Sequence, residues 1–241
     1  MAFRAGQDPQ PERSGRQSPL PYLNPASALH ILLTDVLTCP RCGPDFGLIL
    51  MADEMQGRAV AEGRLGCLNC REGYRISNGV ADLLLADSTA VTSTGADHFA
   101  THEDTDVAYR FAALLGASDL ASTIFLGGLP HEVSAGVAKL LPDTQVAATA
   151  GAVDMSGAGS GQNWIRHGIR LPFRSQSMRG VALSGEAADR LLDEAVRILK
   201  HSGRLVLDPA PTRAVARLRK MGLELLLEQD GVVVASIQRG R

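Results

Sequence analysis

The sequence predicts an α/β protein, a doubly wound sheet preceded by a small cysteine-bound module. Three observations carry that prediction. From about residue 106 to 241, short β-type runs alternate with helical ones, the pattern of strand and crossover in a doubly wound sheet. All four cysteines of the 241 residues lie ahead of that region in two C-x-x-C pairs, Cys39-Pro-Arg-Cys42 and Cys67-Leu-Asn-Cys70. The chain closes on two apolar runs joined by Asp230-Gly231, which predicts a terminal hairpin.

Residues 1–26 are rich in Pro, Gln, Arg, Gly and Ser without apolar periodicity, and predict a disordered tail. Asp8 and Glu12 interrupt Arg4, Arg13 and Arg16, which argues against a transit peptide. The cysteine module occupies residues 27–86. Within it the pattern predicts a short helix or turn at 31–37, a first metal knuckle, strands near 47–51 and 58–65, a second knuckle, and a last strand through 74–76. Residues 87–105 have few large apolar side chains and read as a linker.

The α/β region, 106–241, reads as a helix at 106–115, a strand at 122–126, a helix at 130–141 begun by Pro130, and a strand at 145–149. A weak strand at 163–169 follows, then a strand at 180–183, a helix at 186–199 and a strand at 203–207. A helix at 212–221 leads into the hairpin of 223–228 and 232–237.

The two C-x-x-C pairs read as one tetrahedral metal site, because each thiolate pair can grip an ion from a tight turn and two turns close a four-sulfur shell. Such a shell is structural. The gap of 24 residues between the pairs (43–66) exceeds the roughly 15–20 of the common zinc pattern and predicts a long intervening hairpin. Two disulfides or a redox dithiol would suit a secreted chain, and no secretory signal is present. Zn2+ is the simpler ion in a reducing cytoplasm, with iron on the same ligands as the alternative.

At 25.5 kDa, 45% hydrophobic and 21% charged, the chain can bury one ordinary core and a small satellite. The net charge is −2, and it is even along the chain: residues 1–85 carry 8 basic and 9 acidic side chains, the rest 16 and 17. No basic stripe exists to hold a phosphate backbone, so nucleic acid is not expected as a direct ligand. The apolar runs are too short to span a bilayer, and a cytoplasmic protein is expected.

The run Leu33-Thr-Asp-Val-Leu-Thr-Cys-Pro-Arg-Cys42, with Cys67-Leu-Asn-Cys70 and Tyr74-Arg-Ile-Ser-Asn-Gly-Val-Ala-Asp-Leu-Leu84, resembles the small zinc-ribbon subunit that activates several tRNA, rRNA and protein methyltransferases. Arg75 and Ala81 stand where that family has prolines. The resemblance implies a docking element that pairs a strand edge and an apolar patch against a methyltransferase. The α/β region, through Arg170-Leu-Pro-Phe-Arg-Ser-Gln-Ser-Met-Arg-Gly-Val-Ala-Leu-Ser184 and Gly203-Arg-Leu-Val-Leu207, is similar to the class I S-adenosylmethionine-dependent methyltransferases, a Rossmann-like fold.

The cofactor motifs depart from that family. An active loop has an acid at the end of the first strand and three spaced glycines, so that the cofactor can lie against bare backbone. Here Phe125 takes the acid position and Gly127 the first glycine, while Leu129 and His131 take the other two. The second strand ends in Ala148-Thr-Ala150 with no carboxylate before Asp154, and Met178-Arg179 replaces a phenylalanine-aspartate before the fourth strand. Losing one charged hydrogen bond costs roughly 1.5–3 kcal/mol, before any steric cost.

The sequence therefore predicts a pseudoenzyme: a zinc-ribbon/methyltransferase-like scaffold that binds a protein partner, with a methyltransferase the partner class implied. It assigns no catalytic residues. The alternative is an active S-adenosylmethionine-dependent methyltransferase with an atypical loop. Three weaker motifs read as structure: His98 and His102 beside Glu103 as linker, His131 as a helix-start histidine, and Gly157-Ala-Gly-Ser-Gly161 as a flexible loop.

Overall fold

The computed structural model describes residues 28–92, 102–116, 122–151 and 162–237. The tail, His98 and the 157–161 glycine run lie outside the described residues. The strands are β1 (Leu29–His30), β2 (Ile49–Gln56), β3 (Ala59–Gly66), β4 (Gly73–Ser77), β5 (Val80–Asp82), β6 (Thr123–Gly127), β7 (Gln145–Thr149), β8 (Gln162–Arg166), β9 (Met178–Leu183), β10 (Leu199–Leu207), β11 (Leu223–Gln229) and β12 (Val232–Ile237). The helices are α1 (Ile31–Thr34), α2 (His102–Leu115), α3 (His131–Leu140), α4 (Gly185–Arg190), α5 (Leu192–Ile198) and α6 (Ala214–Lys220).

All twelve strands form one sheet, ordered β1-β3-β4-β5-β8-β7-β6-β9-β10-β12-β11, with β2 on β3. From β8 to β10 the strands are parallel, and β12 then enters antiparallel between β10 and β11. That order, with the chain reversing direction across β6 and closing on an inserted hairpin strand, is the methyltransferase-type version of the doubly wound sheet. The fold class read from the sequence is the one observed.

The sheet does not stop at the cysteine module. Strand β5 runs parallel to β8 with Val80 opposite Trp164 and Asp82 opposite Arg166, so the module's strands continue the α/β sheet. Helices α2 and α3 cover one face, over Ile124, Leu126, Val146, Ala148 and Trp164. The other face is covered by α4, α5 and α6 on the β9–β12 side, and by the N-terminal segment on the β6–β8 side. Leu29, Leu33 and Leu37 share a cluster there with Phe125, Ala147, Ile165 and Phe173. The β8-to-β9 crossover has no described helix, and residues 29–38 supply the layer a crossover helix would give.

Several boundaries differ from the sequence reading. Helix α2 starts at His102 rather than 106, with Glu103 and Asp104 in its first turn where carboxylates suit the helix dipole. The expected 186–199 helix is divided at Leu191. The strand expected at 203–207 begins earlier, as an irregular start of β10 from Leu199, with Ser202 at φ +61° and a register shift between Leu199 and Arg204. Met178 and Arg179 belong to β9 itself. Val91, in the stretch read as linker, is buried, and its N–H donates to the His167 carbonyl at 3.0 Å.

Candidate functional site

The two C-x-x-C turns are built alike. In the first, the Gly43 N–H donates to the Cys39 carbonyl at 2.9 Å; in the second, Arg71 does the same to Cys67, also at 2.9 Å. The residue after each pair takes the left-handed conformation, Gly43 at φ +98° and Arg71 at φ +61°. Strand β3, between the turns, brings the second pair back to the first, and the Cys39 N–H donates to the Phe46 carbonyl at 2.8 Å.

The four Sγ atoms lie within 4.8 Å of one another, with 3.7 Å between Cys39 and Cys70 and 3.8 Å between Cys42 and Cys67. Sulfurs at about 2.3 Å from a tetrahedral zinc would be about 3.8 Å apart, so the donor set fits such an ion in number, type and spacing. Surrounding donors point at the sulfurs. The Cys42 N–H reaches Cys39 Sγ at 3.4 Å and the Asn69 amide reaches Cys42 Sγ at 3.2 Å. The Tyr74 hydroxyl lies 3.2 Å from Cys39 Sγ, and burial followed by this contact raises its pKa. Burial opposes ionisation of Cys67, but the N–H groups of Cys70 and Asn69 and the neighbouring thiols lower its pKa. The cluster can hold a metal ion.

The cofactor position of the α/β region is built differently. Phe125, on β6, is fully buried and meets Phe173 at 5.4 Å and the His167 ring edge-on at 5.6 Å. A Cβ placed on Gly127 would come within 2.7 Å of Leu183 and 3.0 Å of the Phe125 ring, so this position admits only glycine. Leu129 is buried, and His131, at the first turn of α3, stacks on Trp164 at 4.8 Å. Burial lowers the His131 pKa, with Glu132 opposing.

At the tip of β7, Thr149 Oγ1 lies 3.0 Å from His167 Nε2. His167 Nδ1 is 2.7 Å from the Gly168 carbonyl, which can only accept, so Nδ1 carries the proton and Nε2 accepts from the threonine hydroxyl. Burial lowers the His167 pKa to about 4, against a smaller opposing effect of the Gly168 carbonyl. This histidine is a neutral core group. At the tip of β7, where the resemblance implies a ribose-binding carboxylate, the described residues offer a hydroxyl whose hydrogen bond is already used. With Phe125, Leu129 and His131 in place of the loop's acid and two glycines, the described residues do not match the cofactor motif of the family the sequence resembles.

The structure therefore brings Cys39, Cys42, Cys67 and Cys70 together, and sets His131 against the Trp164 ring. His102 stands on the exposed first turn of α2. Sequence reasoning missed Tyr74 and Asn69 as neighbours of the sulfurs and His167 as the partner of Thr149. Only Asn69, inside a C-x-x-C pair, had a positional signal.

No protein-family model and no curated protein matches the sequence. Among solved structures, the chain is similar to a predicted O-methyltransferase from Agrobacterium tumefaciens, at 18% identity over 54% of this chain and 80% of that one, with a TM-score of 0.40. It is also similar to an S-adenosylmethionine-dependent O-methyltransferase from Thermotoga maritima, at 13% identity over 61% and 69%, with a TM-score of 0.42. A geranyl diphosphate methyltransferase in complex with S-adenosylmethionine matches at 10% identity over 58% and 79%, also at 0.42. The fold assignment itself rests on the strand order given above.

Proposed function

We propose that this protein is a non-catalytic scaffold of the methyltransferase fold, in which Cys39, Cys42, Cys67 and Cys70 hold a structural Zn2+ and the strands around them engage a protein partner. The observation that carries the reading is what stands in the cofactor loop. Leu129 is buried and His131 stacks on Trp164 at the positions of two of the glycines, and the buried Phe125 stands at the position of the acid. A cofactor of that fold needs bare backbone at these points. The ion's role follows from the closed four-sulfur set: with no open position it holds the turns folded and activates no water. By the resemblance of the cysteine module, the partner class is a methyltransferase.

The test is calorimetric titration of S-adenosylmethionine and S-adenosylhomocysteine into protein whose zinc content is known. The expected result is about one zinc per chain and no binding up to millimolar ligand. Micromolar binding would overturn the scaffold reading in favour of an active methyltransferase with an atypical loop.

A further inference from the structure

The outer face of the module's sheet has a composition that folding does not explain. Strands β3 and β4 turn Leu65, Tyr74 and Ile76 into the core and β2 half-buries Leu50 against it, so the alternate residues face water. Two cross-strand rows result: Ile49, Gly66 and Gly73 in one, Met51, Arg64 and Arg75 in the next. Met51 lies across Gly66 and the Arg64 stem lies across Gly73, where a Cβ on either glycine would be 3.0 Å from the overlying chain. The two glycines thus make the face flat.

Arg64 and Arg75 are directly opposite one another in the antiparallel β3–β4 pair. Like charges at directly opposed positions destabilise a sheet. The acid near them does little to offset this. Glu62 is 3.9 Å from Arg75, whose side chain is 77% exposed, and its carboxylate already accepts from the Ser77 hydroxyl at 3.0 Å and the Asn78 N–H at 2.7 Å. Arg64 has no ion pair among the described residues. Beside this pair, Ile49 and Met51 are 47% and 49% exposed, on a strand that pairs only with β3 among the described residues.

We propose that this face docks an acidic, aliphatic segment of a protein partner, its carboxylates seated between Arg64 and Arg75 and its apolar side chains on Ile49 and Met51. The inference rests on the protein-binding reading above and names the chemistry of the partner. Charge complementarity selects the occupant: an incoming carboxylate turns a repulsive pair into a bidentate clamp. A nucleic acid fits worse, because two arginines are too few to hold a phosphate backbone and the rows Ile49-Gly66-Gly73 and Met51-Arg64-Arg75 offer no aromatic ring for a base.

The experiment uses the zinc-loaded full chain and three fluorescein-labelled probes: an alternating glutamate–leucine peptide, its lysine–leucine counterpart, and an oligothymidylate. Anisotropy should show saturable binding of the acidic peptide, weakening with salt, and none of the lysine peptide. Each of Arg64→Thr and Arg75→Thr should weaken that binding about ten-fold or more. Arg64→Thr should at the same time raise the melting temperature, since it relieves the repulsion; a purely structural arginine would not give that combination. Absence of saturable binding, binding by either variant as tight as that of the wild type, or tighter binding of the oligothymidylate overturns the proposal. Cofactor titration separates the two readings: S-adenosylmethionine binding removes the scaffold function whatever the peptide does, whereas failure of the peptide alone removes only this face.

Discussion

Leu37 forms an antiparallel β-bridge with Phe173, and Leu37 is two residues ahead of Cys39. The bridge is flanked by the Thr38 N–H donating to the Pro172 carbonyl at 2.9 Å and the Arg174 N–H donating to Val36 at 3.0 Å. The first cysteine turn is thereby fastened to the loop between β8 and β9, and Leu37 and Phe173 lie in one buried cluster with Phe125.

That fastening predicts how the protein responds to loss of the metal site. Two separate modules would melt separately, leaving the α/β signal intact when the cysteine turns fail. With a shared cluster, Cys67→Ser or chelation should lower a single transition of the whole chain. A loss of about 4 kcal/mol, of the size that follows removal of a metal, corresponds to a fall in Tm of about 8–16 °C for a chain of this size. Circular dichroism at 222 nm and near-ultraviolet signals should report the same midpoint; a first transition confined to the β-rich module would contradict the shared core.

Phe125 is predicted to be a packing residue. Phe125→Ala removes a fully buried ring in contact with Phe173 and His167, and should cost about 3–5 kcal/mol in denaturant unfolding. It should not create cofactor binding, because Thr149 still stands where a carboxylate is needed. Calorimetry with S-adenosylmethionine on this variant checks the second half: heat of binding in Phe125→Ala would mean that the ring alone had closed the slot.

The sequence made some of this legible and hid the rest for physical reasons. Strands β6, β7 and β12 were readable because buried parallel or central strands are short apolar runs, and the cysteine turns were readable because ligand spacing is local. Strand β5 is only Val80–Asp82 and owes its existence to pairing with β8, which no window of sequence shows. The same holds for residues 29–38 as a covering layer: their partners are more than 80 residues away in the chain, at Phe125 and beyond. The division of the helix at Leu191 has no Gly or Pro to announce it. At the cofactor position, substitution at the glycines was visible in the sequence, whereas the hydrogen bond between Thr149 and His167 came only from the fold.

His167 should make stability depend on pH. It is fully buried with its pKa lowered from about 6.5 to about 4 by burial, so the folded state prefers the neutral ring. The sign follows directly. The unfolded chain binds the proton first, so this contribution is fully present above about pH 6.5 and is lost as pH falls towards 4, on the order of 3 kcal/mol across the window. In His167→Gln the stability between pH 6.5 and 4 should fall less steeply than in the wild type, with zinc content held constant. Nuclear magnetic resonance offers the direct check, since the His167 ring should remain neutral at pH 5.5 while an exposed histidine titrates.

Tyr74 is predicted to tune the metal site without holding it. Its hydroxyl, 3.2 Å from Cys39 Sγ and buried, donates a hydrogen bond once that sulfur is a thiolate. Tyr74→Phe keeps the ring in the core and removes only this donor. Groups of that kind change metal affinity by about 10- to 100-fold, so competition with a chromophoric chelator should show Zn2+ held at least about ten-fold more weakly. The far-ultraviolet spectrum of the zinc-loaded variant should match the wild type. Unchanged affinity would mean that the remaining donors, the Cys42 N–H onto Cys39 and the Asn69 amide onto Cys42, already carry the thiolate charge, and that Tyr74 serves packing alone.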